Sequence, residues 1–280
     1  MIVQQAVHLG LAGAGIVVAM MFVLWLVHLA IRNAAIVDVG WALGLALLAI
    51  YYAYAGPGYS ARKYAIAVMA GFWGFRLAGF LLFSRVLGHP EEGRYVQLRK
   101  EWKRHLALRF LFFFEFQALL DVVLSAPFLL ACLNVDAPLG LLEKVGAGIW
   151  LVSMIGEAIA DLQLHNFKKD PANKGKTCRA GLWHYSRHPN YFFEWLIWVG
   201  YAVFALGSPW GWIGLISPTL ILYFLLGVTG IPATEAQALR SRGDEYRDYQ
   251  RTTSAFVPWF PKKSVAIDNS ASPEKLEAKS

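Results

Sequence analysis

Seven stretches of this 280-residue chain, at 7–31, 34–54, 64–87, 106–133, 139–164, 191–206 and 210–231, are apolar enough to leave it little choice of architecture. A helix needs roughly 20 apolar residues to cross a bilayer, and most of these runs reach that length. In lipid the backbone amides must be satisfied within the segment, which selects helices over open strands. The expected fold is therefore all-α, a polytopic membrane protein with about seven transmembrane helices. Composition agrees: 57% of residues are hydrophobic and only 16% are charged, too few for the surface of a soluble protein this long. No charged stretch between the runs is long enough for a separate soluble domain. A single integral-membrane domain over 1–263 is expected, followed by a short polar tail, 264–280, that lacks periodicity and reads as disordered.

Punctuation within the runs adds detail. Pro127 should bend the fourth, because proline removes a backbone hydrogen bond. Gly207-Ser208-Pro209 forms a tight turn that makes the sixth and seventh an antiparallel hairpin. The first run is too long for a signal-peptide core and lacks a basic leader, so it reads as a retained helix. Basic residues set the orientation. The third-to-fourth connection carries Arg94, Arg99, Lys100, Lys103 and Arg104, and the fifth-to-sixth carries Lys168, Lys169, Lys174, Lys176 and Arg179. Both belong on the cytoplasmic side, with the N-terminus outside and the C-terminus cytoplasmic. Arg62 and Lys63 fall on the opposite side. Beyond the last run, 235–251 alternates in charge and reads as a cytoplasmic helix at the membrane interface.

The net charge of +7 does not point to nucleic acid, because the cations sit in loops between apolar runs. Lipid head groups and an anionic cofactor account for them better. Cys132 and Cys178 are the two cysteines, too far apart in sequence to indicate a disulfide framework or a zinc site. No obligate protein partner is indicated, and no metal: His165, His184 and His188 lack tight spacing and have arginine nearby.

The segment His184-Tyr-Ser-Arg-His-Pro-Asn-Tyr-Phe-Phe-Glu194 gathers Tyr185, Arg187, His188, Asn190 and Glu194 directly against an apolar run. Polar groups at a membrane boundary are costly unless paired or solvated, so such a cluster is usually kept for a ligand. Pro189 suits the start of a helix, whose free N–H groups, with Arg187 and His188 just before them, seat an anion such as phosphate. The alternative is a basic flank that anchors a membrane helix.

Acidic residues inside the runs carry the remaining chemistry. Asp38 lies near Trp41 in the second run, and a carboxylate there is expensive to bury. A protonated or proton-sharing Asp38 would donate a hydrogen bond to a substrate carbonyl; a structural pair with Arg76 is the other reading. Glu157, Asp161 and His165 are spaced four apart, on one helix face. They can accept hydrogen bonds from a ribose or amide, or form an ion-pair seam with Lys168 and Lys169. Glu91, Glu92, Arg94 and Tyr95 form a polar knot that reads first as solvated loop charge, although Tyr95 is a reasonable general acid beside a carbonyl. No Gly-rich Rossmann fingerprint occurs, so any dinucleotide would lie among membrane helices.

Gly181–Glu194 with Glu157 and Asp161 before it, followed by Gly243-Asp-Glu-Tyr246-Arg-Asp-Tyr249 and Thr253–Trp259, resembles the C-terminal half of steroid 5α-reductases and their bacterial relatives. The resemblance is strong over 156–261 and weaker around Asp38 and 76–95. It implies a seven-helix, multi-pass membrane oxidoreductase that uses NADPH to reduce the Δ4 double bond of a 3-oxo-steroid or similar lipid enone, with the cofactor cavity open to the cytoplasm. By position, Asp161, Asn190 and Glu194 would contact the cofactor, the last two near the nicotinamide, with Tyr185, Arg187 and His188 beside them. Glu157, His165, Lys168, Arg179, Glu235 and Tyr246 complete the expected cofactor set. Asp38 matches the family's second-helix acid at the substrate ketone, with Tyr95 as its catalytic partner and Trp41, Arg76 and Phe80 around the substrate. Departures are Glu157 in place of an asparagine, Glu235 in place of a basic or histidine contact, and Phe80 near the position of the expected tyrosine. The Arg187-His-Pro189 segment with Glu235, Tyr246 and Tyr249 also resembles membrane methyltransferases that modify isoprenylcysteine using S-adenosylmethionine.

Overall fold

The apolar runs do become helices in the computed structural model, which describes residues 2–262; the tail at 264–280 lies outside the described residues. In chain order come α1 (Ile2–Ile31), α2 (Ile36–Ala55), α3 (Ser60–Leu81), α4 (Gly93–Trp102), α5 (Leu106–Leu124) and α6 (Ala126–Leu133). They are followed by α7 (Leu141–Lys169), α8 (Leu182–Tyr185), α9 (Pro189–Leu206), α10 (Ile216–Tyr223), α11 (Ile231–Arg242) and α12 (Asp244–Thr252). Among the described residues no strand forms; the nearest approach is an isolated parallel bridge between Ser186 and Ser254.

Five helical stretches are long and apolar enough to cross a membrane: α1, α2, Ser60–Val86, α7 and Gly211–Arg242. The pair α5 and α6 makes a sixth if it counts as one span bent by 40°. The protein is thus an all-helical, multi-pass membrane protein. The bend falls where expected: α5 stops at Leu124, and α6 restarts with Pro127 in its first turn, where a missing N–H costs nothing. The run at 191–206 is helical within α9 but is not among the spans, since Pro189, Asn190 and Glu194 occupy its first turns. The expected single helix over 235–251 is instead two. Gly243 adopts φ +54° between α11 and α12, a left-handed conformation that favours glycine.

By contacts the chain divides into two compact units, Met1–Ile155 with Phe193–Leu225, and Gly156–Phe192 with Leu226 onward. The first unit carries the large apolar core. Its centre is aromatic: Trp73 meets Trp41 and Trp198 edge-on at 5.7 and 5.4 Å, and Phe128 meets Tyr201 edge-on at 4.9 Å. The indole of Trp150 donates to the Tyr201 hydroxyl at 3.0 Å, so these two polar tips are paired within the core. Small residues let helices close on each other, the usual device in lipid. A Cβ at Gly146 of α7 would lie 2.4 Å from the backbone nitrogen of Phe204 on α9.

Arg62, on the wrong side by loop charge, is no free cation. Its Nε donates to Glu143 at 2.8 Å, its NH1 donates to the carbonyls of Asn134 and Asp136, and both side chains are 2% exposed. Lys63 donates to the Gly56 carbonyl at 2.7 Å.

The second unit is smaller and more polar. Trp183 donates to the Ala160 carbonyl at 2.9 Å, tying α8 to the end of α7. Tyr249 of α12 donates to the carbonyls of Trp183 and Ser186. The Ser186 hydroxyl donates to Phe256 at 2.8 Å, and the Arg187 amide to Ser254 at 2.8 Å. The motif segment is thus laced to the chain's last described residues.

Candidate functional site

Two polar clusters, one in each unit, contain most of the residues singled out by sequence. In the first unit, Asp38 sits in the opening turn of α2 and Tyr95 in α4. The Tyr95 hydroxyl donates to Asp38 Oδ1 at 2.8 Å, and Arg94 NH2 bonds to Asp38 Oδ2. The Arg94 guanidinium also lies 4.6 Å from the Tyr95 ring centre and 3.2 Å from Glu92. The partners of Asp38 are therefore Arg94 and Tyr95, not Arg76. Both partners are donors, so Asp38 accepts from each of them. Burial, and then the adjacent Asp38 carboxylate, hold the Tyr95 phenol well above its usual range. It remains a proton carrier at neutral pH. Tyr95 is 1% exposed, while Arg94 is 46% exposed, so the cluster reaches the surface through its guanidinium. The loop at 91–95 thus supplies two members of an organised triad, and it engages neighbours too: Glu91 accepts from Arg99 and from the Ala34 amide.

The same unit holds Glu194 and Trp41. Glu194 accepts from Trp73 Nε1 at 3.0 Å and Trp198 Nε1 at 3.1 Å, and Trp41 packs on both rings. Two indole donors aimed at one carboxylate fix its direction. Arg76 is half-buried one turn after Trp73 on α3. Phe80 does not join this wall. It is 61% exposed, near the C-terminal end of α3.

In the second unit, Asn190 at the start of α9 donates to Asp161 Oδ1 of α7 at 3.2 Å, and both are half-buried. Glu157 one turn earlier is buried, whereas His165 and Lys168 one and two turns later are exposed. The common helix face inferred from spacing is therefore graded from interior to solvent.

Arg187 and His188 are placed differently from the anion seat expected of them. Arg187 Nε donates to Glu235 at 2.7 Å, and its NH1 donates to the carbonyls of Gln250 and Thr253 at 2.9 and 2.6 Å. His188 Nε2 lies 3.1 Å from the same Glu235 oxygen, and Gln250 Nε2 donates to the other at 2.6 Å. Arg187 and Glu235 are only 10% and 13% exposed. The two motif residues read as phosphate ligands thus clasp α11 and the C-terminal segment. Sequence could not reveal this, since Glu235 is 47 or more residues away. The His188 ring also stacks on Tyr191 at 5.4 Å. Tyr246 lies against this clasp, its phenol pushed up to about 12 by burial and by the Glu235 carboxylate. Arg179 is likewise engaged, with Asp248 at 2.9 Å, the Glu245 carbonyl at 2.6 Å and the Tyr249 ring at 5.1 Å. Tyr185 is 39% exposed and packs edge-on against Phe260 at 6.0 Å.

Sequence reasoning missed Arg94 as a partner of Asp38, and the indoles of Trp73 and Trp198. It also passed over Asp121 in α5, which is fully buried with neither carboxylate oxygen bonded among the described residues. A lone ionisable residue inside an apolar run was the available signal.

Comparison with known proteins gives two matches. An uncharacterised protein of the fission yeast Schizosaccharomyces pombe (C594.04c) is 25% identical over 268 residues, spanning 84% of this chain and 76% of its own. No solved structure matches. The family model described as protein of unknown function DUF1295 matches residues 24–253, which takes in both polar clusters, and the chain belongs to that family.

Proposed function

We propose that this protein is an NADPH-dependent membrane reductase acting on a carbon–carbon double bond conjugated to a ketone, in a 3-oxo-Δ4-steroid or a similar lipid enone. The observation that carries this reading is the Tyr95–Asp38 hydrogen bond of 2.8 Å at the opening turn of α2. A buried phenol oriented by a carboxylate can swing its proton to a ketone oxygen, and charge stabilisation of that kind is the largest contribution a protein makes to such chemistry. Asp38 acts as positioning acceptor, and Arg94 holds Asp38 in place. Polarising the ketone makes the β-carbon electrophilic, so that hydride addition there gives an enolate, which takes a water-derived proton at the α-carbon. The bound nicotinamide supplies the hydride.

The second unit's residues fit a nucleotide in three respects. The Asp161–Asn190 pair is half-buried and offers an acceptor and an amide at one point. The Thr177 hydroxyl is buried without a hydrogen-bond partner among the described residues. Lys168, Lys174 and Lys176 around it are exposed. With Arg187 and Arg179 engaged internally, these lysines take over the phosphate role. Seven membrane crossings, with the N-terminus outside and the basic loops cytoplasmic, complete the reading, α9 being the additional crossing.

Calorimetric titration of the purified protein in detergent tests it. NADPH should bind and raise the unfolding temperature, as a ligand specific to the native state must. Stabilisation by S-adenosylmethionine and not by NADPH would transfer the protein to the methyltransferase reading.

A further inference from the structure

An open groove of about 350 Å³ lies in the first unit, lined by Trp102, Arg109, Phe112, Phe113 and Phe116. Four of these follow i, i+3, i+4, i+7 spacing on α5, so they share one helix face. Arg109 is in the first turn of the helix, and the phenyl rings descend from it. At 1.5 Å per residue the stripe runs about 10 Å from cation to last ring. The sequence of chemistry along it is that of an amphiphile: a guanidinium at the boundary, then aromatic surface. Trp102 closes the upper end, held edge-on against Phe110 at 5.0 Å.

Charge decides what fits there. Four arginines elsewhere in the first unit have carboxylate partners: Arg62 with Glu143, Arg85 with Glu92, Arg94 with Asp38 and Arg99 with Glu91. Arg109 has none among the described residues, and neither do Lys103 and Arg104 in the short connection between α4 and α5. All three side chains are exposed. An unneutralised Arg109 in the lining of an apolar groove, with Lys103 and Arg104 directly after Trp102 in sequence, calls for an anion that also carries a chain. A free inorganic anion would leave the aromatic stripe unused, and a zwitterionic lipid would leave the surplus charge.

We propose that this groove is a binding site for an anionic phospholipid, with its phosphate on Arg109 and Arg104 and the start of one acyl chain along Phe112, Phe113 and Phe116. Juxtamembrane cations attract anionic lipid through the same interaction. The inference is independent of the reductase reading, since it uses none of those residues.

Native mass spectrometry of the full chain in mild detergent tests it, with phosphatidylglycerol and phosphatidylcholine of identical acyl chains added in equal amounts. The unaltered protein should retain phosphatidylglycerol in clear excess, and an excess of inorganic phosphate should not remove it. Arg104→Ala with Arg109→Ala should lower its retention by about fivefold per cation removed, with phosphatidylcholine unchanged. Phe112→Ala with Phe116→Ala should weaken both lipids. Equal retention of the two lipids by the unaltered protein would overturn the proposal, as would displacement by phosphate or an undiminished preference in the double arginine variant. The comparison on the unaltered protein stands whether or not a variant folds.

Discussion

Two arginine–carboxylate pairs in this molecule look alike on paper and differ in kind. Arg94 with Asp38, in the first unit, has its guanidinium 46% exposed, and the carboxylate shares itself with a phenol. Arg187 with Glu235, in the second, is 10% and 13% exposed, and its remaining bonds close on backbone carbonyls and Gln250. A buried arginine held by a carboxylate and two backbone carbonyls is a clasp. One that leaves a face open, beside a group able to move a proton, is equipped for chemistry. The more prominent sequence motif belongs to the clasp.

The largest effect should come from cutting that clasp. Removing one partner of a buried pair strands the other charge, at a cost of about 3–5 kcal/mol. Arg187→Ala and Glu235→Ala should each lower the unfolding temperature in detergent sharply, and the double variant should cost less than the two single losses added. If either single variant kept its stability while losing NADPH, the pair would be a ligand site after all and the contrast would dissolve.

The open pair should respond the other way. Tyr95→Phe and Asp38→Asn are expected to keep the fold, yet slow NADPH oxidation with a lipid enone by roughly 10²-fold, the usual contribution of a positioned proton donor. Steady-state turnover beside a thermal melt separates the two effects. Unfolding without a turnover defect in the surviving protein would make this triad structural as well.

The smallest effect concerns Arg179, intermediate between the two. Its pair with Asp248 is 35% and 30% exposed, so Arg179→Ala should cost no more than about 1 kcal/mol of stability. Because its guanidinium is already engaged, Lys168→Ala should reduce NADPH affinity more than Arg179→Ala does, while NADH binding changes little in both. A larger NADPH loss at Arg179 would mean that the ligand takes it from Asp248.

Much of the fold was legible along the chain because lipid enforces a simple rule. Long apolar runs become helices there, and the Pro127 bend follows from one missing amide hydrogen. The partnership of Asp38 with Tyr95 was foreseen by residue, but its third member was not. Arg94 looked like one loop cation among five, and nothing in its neighbours marks it as the one that reaches α2. The exposure of Phe80 near the end of α3 is likewise not written in an apolar run in which every side looks alike.

Sequence by itself determined the class of molecule, its helices and its family, since these depend on local hydrophobicity and on residues read in order. Only the tertiary structure decided which charges are neutral partners and which remain available. Arg187 and Glu235 are 48 residues apart and Arg62 and Glu143 are 81 apart. A burial-dependent interaction between residues so distant is set by how helices pack, and no local pattern encodes it.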